Sequence, residues 1–96
     1  MTQTKLTISE LRSQIDSVDE KLVKLLAERQ RLVEMVIVVK KRDGVAARVP
    51  ARVDYVIDRV RVLARAHHLD PALAETIWTE MVEWFVGHEE RAMEKK

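Results

Sequence analysis

A heptad seam constrains this chain more than any other feature. Leu11, Ile15, Val18, Leu22, Leu25, Leu32, Val36 and Val39 follow one another at alternating steps of four and three residues, with one register position skipped between Leu25 and Leu32. That spacing is the stripe of a long helix built to meet another helix. The skipped position is Arg29. A guanidinium inside an apolar seam costs free energy unless a partner meets it there. An arginine that snorkels to water, or pairs with Glu28 or Glu34 along its own helix, would satisfy that need without any function. Lys40, however, lies eleven residues further on, close to three turns, so it projects from the same face about 16 Å along. A row of cations on an apolar helix requires a chemical reason.

The boundaries of this helix are legible. The seam covers about Leu11 to about Lys40. Thr7-Ile8-Ser9-Glu10 fits a capping box with Thr7 as N-cap and Glu10 at the third helical position, Ser9 being the alternative cap. The helix then runs to about Arg42. Asp16, Asp19 and Glu20 lie early and Lys40, Lys41 and Arg42 late, as the helix dipole favours. The β-branched stretch from Val33 to Val39 has modest helix propensity and needs tertiary burial. Asp43-Gly44 ends the helix, Gly44 suiting the left-handed residue after the C-cap.

After a short loop, Val45 to Val49, Pro50 opens a second helix that reaches about His67, with Val53, Val56, Ile57, Val60, Leu63 and Ala64 on its apolar side. His67-His68-Leu69 breaks it. Asp70-Pro71 pairs an N-cap with a proline at the first helical position. The third helix is expected from Pro71 to about Ala92, with apolar positions at Leu73, Ala74, Ile77, Trp78, Met81, Val82, Trp84 and Phe85. Met1 to Leu6 and the charged tail from Arg91 to Lys96 are expected to fray.

The sequence therefore reads as all-α, three helices with the longest first, in one domain spanning residues 1–96. A helix of about 32 residues is about 48 Å long, whereas a small domain is about 30 Å across. The long helix must reach beyond its own chain's core, carrying an apolar seam that water would otherwise meet. The expected cover is a second copy, in a symmetric homodimer through the first helix.

Composition narrows the function classes. With 47% apolar and 34% charged residues the chain is not of a disordered type, and a net charge of +1 gives no bulk attraction to nucleic acid or to an anionic membrane. The absence of cysteine rules out disulfides and thiolate chemistry. No apolar run reaches membrane-spanning length, and the start MTQTKLTISE has no apolar leader core. A cytoplasmic protein that binds neither nucleic acid nor membrane is expected.

Three further charges bear on the cationic row. Arg12 lies 17 residues before Arg29, about 25 Å along one helix, too far to share a small ligand. An antiparallel second copy would bring its own Arg12 toward this chain's Arg29. Arg52, just inside the second helix, could close over the same place. Phe85 and Glu89, four apart, share a face of the third helix and would place a carboxyl group among the cations.

The most telling stretches are LRSQIDSVDEKLVKLLAERQRLV (residues 11–33), the following Lys40, ARVDYVIDRV (51–60) and AHHLDPALAETIW (66–78). With these the chain resembles the all-helical class of chorismate mutases and its sister enzyme, isochorismate pyruvate lyase, over nearly its whole length. The resemblance implies the type II chorismate mutase fold: an intertwined homodimer of three-helix chains with two composite active sites. It implies an isomerase of the shikimate pathway, serving aromatic amino acid biosynthesis, that needs no cofactor and no metal. Arg29, with Arg12 from the other copy, would bind the two substrate carboxylates through guanidinium forks. Lys40 would contact a carboxylate and the ether oxygen. Glu89, often a glutamine in the family, would also donate to that oxygen. Arg52 takes the family's arginine position at the start of the second helix.

The rearrangement of chorismate to prephenate is pericyclic. It needs a held conformer and stabilisation of the charge growing on the ether oxygen, not a nucleophile. The lyase reaction, isochorismate to salicylate plus pyruvate, breaks the corresponding bond and can use the same cations. Val53 stands where typical mutases have a glutamate that binds the ring hydroxyl, and Val49 where an aspartate is common. VPARV and the pair Trp84-Phe85 also resemble the lyase. These changes favour a less polar substrate end, hence the lyase or a mutase of a modified chorismate as alternatives; the lyase likeness is local, so plain mutase stays ahead. Because only a protonated carboxyl donates a hydrogen bond, Glu89 should make turnover better at mildly acid pH.

Other features have plainer readings. His67-His68 fits a solvated helix end, and His88-Glu89-Glu90 lacks the second histidine of a zinc-protease helix. Arg59, Arg61 and Arg65 spread around a solvated face, and Trp78 and Trp84 suit a core or an interface. A non-catalytic helical dimerisation module would explain the seam but not Arg12, Arg29, Lys40 and Arg52 together.

Overall fold

The computed structural model describes residues 5–94, and the expectations for residues 1–4 and 95–96 lie outside them. Three helices follow in order: α1 (Ile8–Asp43), α2 (Pro50–Ala66) and α3 (Pro71–Glu94). The start of α1 is the capping box read from the sequence. Glu10 N–H donates to Thr7 Oγ1 at 3.1 Å, and Thr7 N–H donates to Glu10 Oε2 at 3.1 Å. Two of the helix's orphan donors are thereby satisfied reciprocally. At the other end Gly44 takes φ +70°, and Val45 N–H reaches back to the Lys40 carbonyl at 2.9 Å, which is a Schellman turn.

A second such turn ends α2 without a glycine. His68 sits at φ 61°, and Leu69 N–H donates to the Ala64 carbonyl at 2.8 Å. The histidine pair is thus spent on chain reversal, with a β-carbon in a region that L residues disfavour. Asp70 then caps α3, its Oδ1 accepting from Ala72 N–H at 2.9 Å. The third helix extends past the expected Ala92, so Arg91–Glu94 are helical, not frayed.

The chain divides into two compact units at Glu34/Met35, within α1. In the first, none of the described residues is buried; only Arg29 and Val33 are half-buried, and the seam from Leu11 to Leu32 is exposed throughout. In the second, α2 packs on α3 and the core consists of Ile37, Val60, Ala64, Ala74, Val82 and Val86. Ala74 is the least exposed of them, at 1%. Apart from Ile37 these are valines and alanines, and among the described residues no large side chain is fully buried.

Within the single chain, burial selects only part of the apolar pattern. On α1 the buried residue is Ile37, while the seam's Val36 and Val39 stay exposed. On α3 the buried residues include Val86, whereas Leu73, Ile77 and Trp84 face out, Trp84 at 53% exposure. On α2, Leu63 also lies on the exposed side of the packing. The sequence shows where apolar residues recur, but a helix with apolar residues on two faces leaves open which face its own chain covers.

Candidate active site

The second unit places a charged pair where the packing is otherwise apolar. Lys40 occupies the last turn of α1, fixed by the Schellman turn that follows it. Its ammonium donates to Glu89 Oε1 on α3 at 2.9 Å and to the Ala47 carbonyl of the α1–α2 loop at 2.8 Å. The Lys40 and Glu89 side chains retain only 17% and 10% exposure. Glu89 is the buried charged residue of the chain's described part. A pair so shielded is held by direct hydrogen bonds, since removing either partner would strand the other charge away from water.

Aromatic rings cluster one turn back along α3. Phe85 is half-buried; its ring meets Trp84 edge-on with centroids 5.0 Å apart, and His88 likewise at 6.3 Å. Trp84 and His88 stack at 5.3 Å, 15° from parallel. Phe85 and Glu89 therefore share a face, as their spacing requires.

Arg52 and Val53 stand in the first turn of α2. Val53 is half-buried; Arg52 is exposed, its guanidinium 5.2 Å from the Tyr55 ring centroid, a cation–π arrangement. Arg12 and Arg29 belong to the first unit. Arg12 is exposed, while Arg29 is half-buried with Nη1 shielded from solvent. The structure thus brings Lys40 and Glu89 into contact, sets Phe85 beside Glu89, and holds Arg52 over an aromatic ring.

An open recess of about 380 Å³ adjoins Lys40, lined also by Lys41, Gly44, Val45, Ala46 and Met93. A second, almost wholly apolar cavity of about 170 Å³ lies between α2 and α3, with Val60, Leu63, Ala64, His67, Leu69, Ala74 and Trp78 around it. Among the described residues no three His, Cys, Asp or Glu side chains group as a metal site needs, and no helix is long and apolar enough to cross a membrane.

Sequence reasoning missed the backbone part of this site. The carbonyl of Ala47 has no signature in its side chain, and the fork that Arg48 makes with Glu83, 35 residues away, has no periodic signal. Its Nη1 and Nη2 donate to Glu83 Oε1 and Oε2 at 2.9 and 2.7 Å.

Comparison with known proteins follows the same lines. The family model for chorismate mutase type II matches residues 11–90. A chorismate mutase of Methanocaldococcus jannaschii is 34% identical over 76 residues, covering 79% of this chain and 77% of that protein. With the family's pattern matched from the first turns of α1 to Glu90 near the end of α3, this chain belongs to the chorismate mutase type II family.

Proposed function

We propose that this chain is a chorismate mutase that converts chorismate to prephenate at a site centred on Lys40 and Glu89. The observation that carries the reading is the shielded Lys40–Glu89 contact at 2.9 Å, together with membership of the family. In the rearrangement one carbon–oxygen bond breaks as one carbon–carbon bond forms, and negative charge gathers on the ether oxygen. An ammonium in a water-poor setting stabilises that charge more strongly than it would in bulk water. Lys40 supplies it. Glu89 supplies a second hydrogen bond when protonated; when ionised it competes with the substrate for Lys40.

The other roles complete the pocket. Arg29, with Arg12 from a second copy, binds the substrate's two carboxylates, and Arg52 leaves its stacked position over Tyr55 to close on the ligand. Phe85 and Val53 form apolar walls. The second copy docks on the seam of α1, whose exposed leucines and valines support a homodimer of this kind. The protein works in the cytoplasm, on the chorismate branch that feeds aromatic amino acids.

Product analysis by proton NMR tests the reading, with purified protein incubated separately with chorismate and isochorismate. Prephenate from chorismate as the dominant product is expected. Salicylate and pyruvate from isochorismate, with chorismate turned over poorly, would make the chain a lyase and give Val49 and Val53 the choice of substrate. Neither product would leave a mutase of a modified chorismate, or a binding module.

A further inference from the structure

The α1–α2 loop, residues 44–49, delivers the Ala47 carbonyl to Lys40, yet little in the loop itself holds it there. The N-cap of α2 is Val49, in extended backbone geometry (φ −116°, ψ 97°), and no side chain caps the helix. Arg52 and Val53 N–H donate only to the Val49 carbonyl, at 2.9 and 3.1 Å. Arg48, between Ala47 and Val49, instead makes its two-pronged contact with Glu83 on α3. Glu83 lies six residues before Glu89 on the same helix. The contacts close a ring: Lys40 to Ala47, along the loop to Arg48, across to Glu83, and along α3 to Glu89 and back to Lys40.

We propose that the Arg48–Glu83 fork is a latch that positions Lys40 for the reaction, by fixing the Ala47 carbonyl as the second acceptor of its ammonium. Arg48 and Glu83 act through Lys40 and do not touch the substrate; the inference rests on the mutase reading above. Both side chains are about half exposed, 45% and 51%, so the pair contributes little to overall stability. A planar fork nonetheless fixes direction as well as distance. Small displacements of a group that stabilises a transition state cost rate, not folding. The hydrogen bond from Arg48, reinforced by its charge, holds the Glu83 carboxyl below its ordinary range. The latch is therefore fully charged above the usual glutamate value and loosens only as pH falls through the lowered one.

Arg48→Ala, Glu83→Ala, the double alanine variant and the reversed pair Arg48→Glu/Glu83→Arg test this. Two readouts are needed: kcat and KM for chorismate, and the rate at which an N-hydroxysuccinimide ester acylates Lys40 in the resting protein, read by peptide mass spectrometry against Lys41. Each single variant is expected to lower kcat on the order of tenfold with KM and melting temperature nearly unchanged, and to speed acylation of Lys40 but not of Lys41. The double alanine variant should fall no further, and the reversed pair should recover both readouts. Wild-type kcat in the single variants, or unchanged acylation of Lys40, overturns the proposal. If the wild-type chain does not turn over chorismate, the mutase reading fails and the acylation rates alone decide the latch.

Discussion

The two units of this chain meet the requirement for burial in opposite ways. Up to Glu34 the chain carries a long apolar seam and buries none of its described residues. From Met35 onward it has fewer regular signals, yet it holds the core and the Lys40–Glu89 pair. The difference teaches that sequence regularity and self-burial are separate properties. A heptad is an instruction about a partner, and a single chain does not carry it out. Ala64, Ala74, Val82 and Val86 are buried in the unit where α2 packs on α3, and in that unit Glu89 meets Lys40 at 2.9 Å.

Substitutions on either side of that divide should behave differently. Lys40→Ala should have the largest effect, a loss of turnover on the order of a hundredfold to a thousandfold, the cost of removing one donor to a developing oxyanion, with the circular dichroism of a folded helical chain retained. Near-normal turnover would remove the second unit's claim to the chemistry.

Leu22→Glu probes the first unit. In one chain Leu22 is exposed, and a surface change of that kind shifts stability by no more than about 0.5 kcal/mol. If a second copy covers the seam, light scattering should show the dimer mass falling to that of one chain, and activity should go with it. An unchanged mass would mean that the seam faces water. The smallest effect belongs to the α2–α3 turn: His68→Gly removes the left-handed β-carbon strain at φ 61° and should stabilise the chain by about 0.5–1 kcal/mol in thermal unfolding. Destabilisation would show that the His68 side chain supports the turn.

Local chemistry was legible wherever a residue acts on its own neighbourhood. The capping box at Thr7 and Glu10, Gly44 after the first helix, Pro50, and Asp70-Pro71 mark boundaries that fall within a few residues of those observed. The three-helix order could be read for the same reason, and the family from the resemblance carried by residues 11–33, 51–60 and 66–78. Burial was less legible, since Ile37 and Val39 are equally apolar and only the packing of the chain distinguishes them. Within the proposed site, Lys40, Phe85 and Glu89 could be named because their spacing on helices carries information. Ala47 and the Arg48–Glu83 fork could not, because a loop carbonyl and a contact across 35 residues leave no period to detect. Nor does the sequence reveal that Arg52 stacks on Tyr55, since an exposed guanidinium has several partners within reach.

Lys40 and Glu89 are proposed as the chemical centre, and the residue at position 89 assists the ether oxygen only by donating a hydrogen bond. The most direct measurement is kcat/KM for chorismate at neutral pH in the wild-type chain and in Glu89→Gln. A glutamine amide donates a hydrogen bond at every pH, whereas the carboxylate that accepts from Lys40 at 2.9 Å has no proton to give. Glu89→Gln is expected to turn over chorismate faster than the wild type, because its amide can donate to the ether oxygen and no longer competes for Lys40. A Glu89→Gln variant slower than the wild type would contradict this role for Glu89.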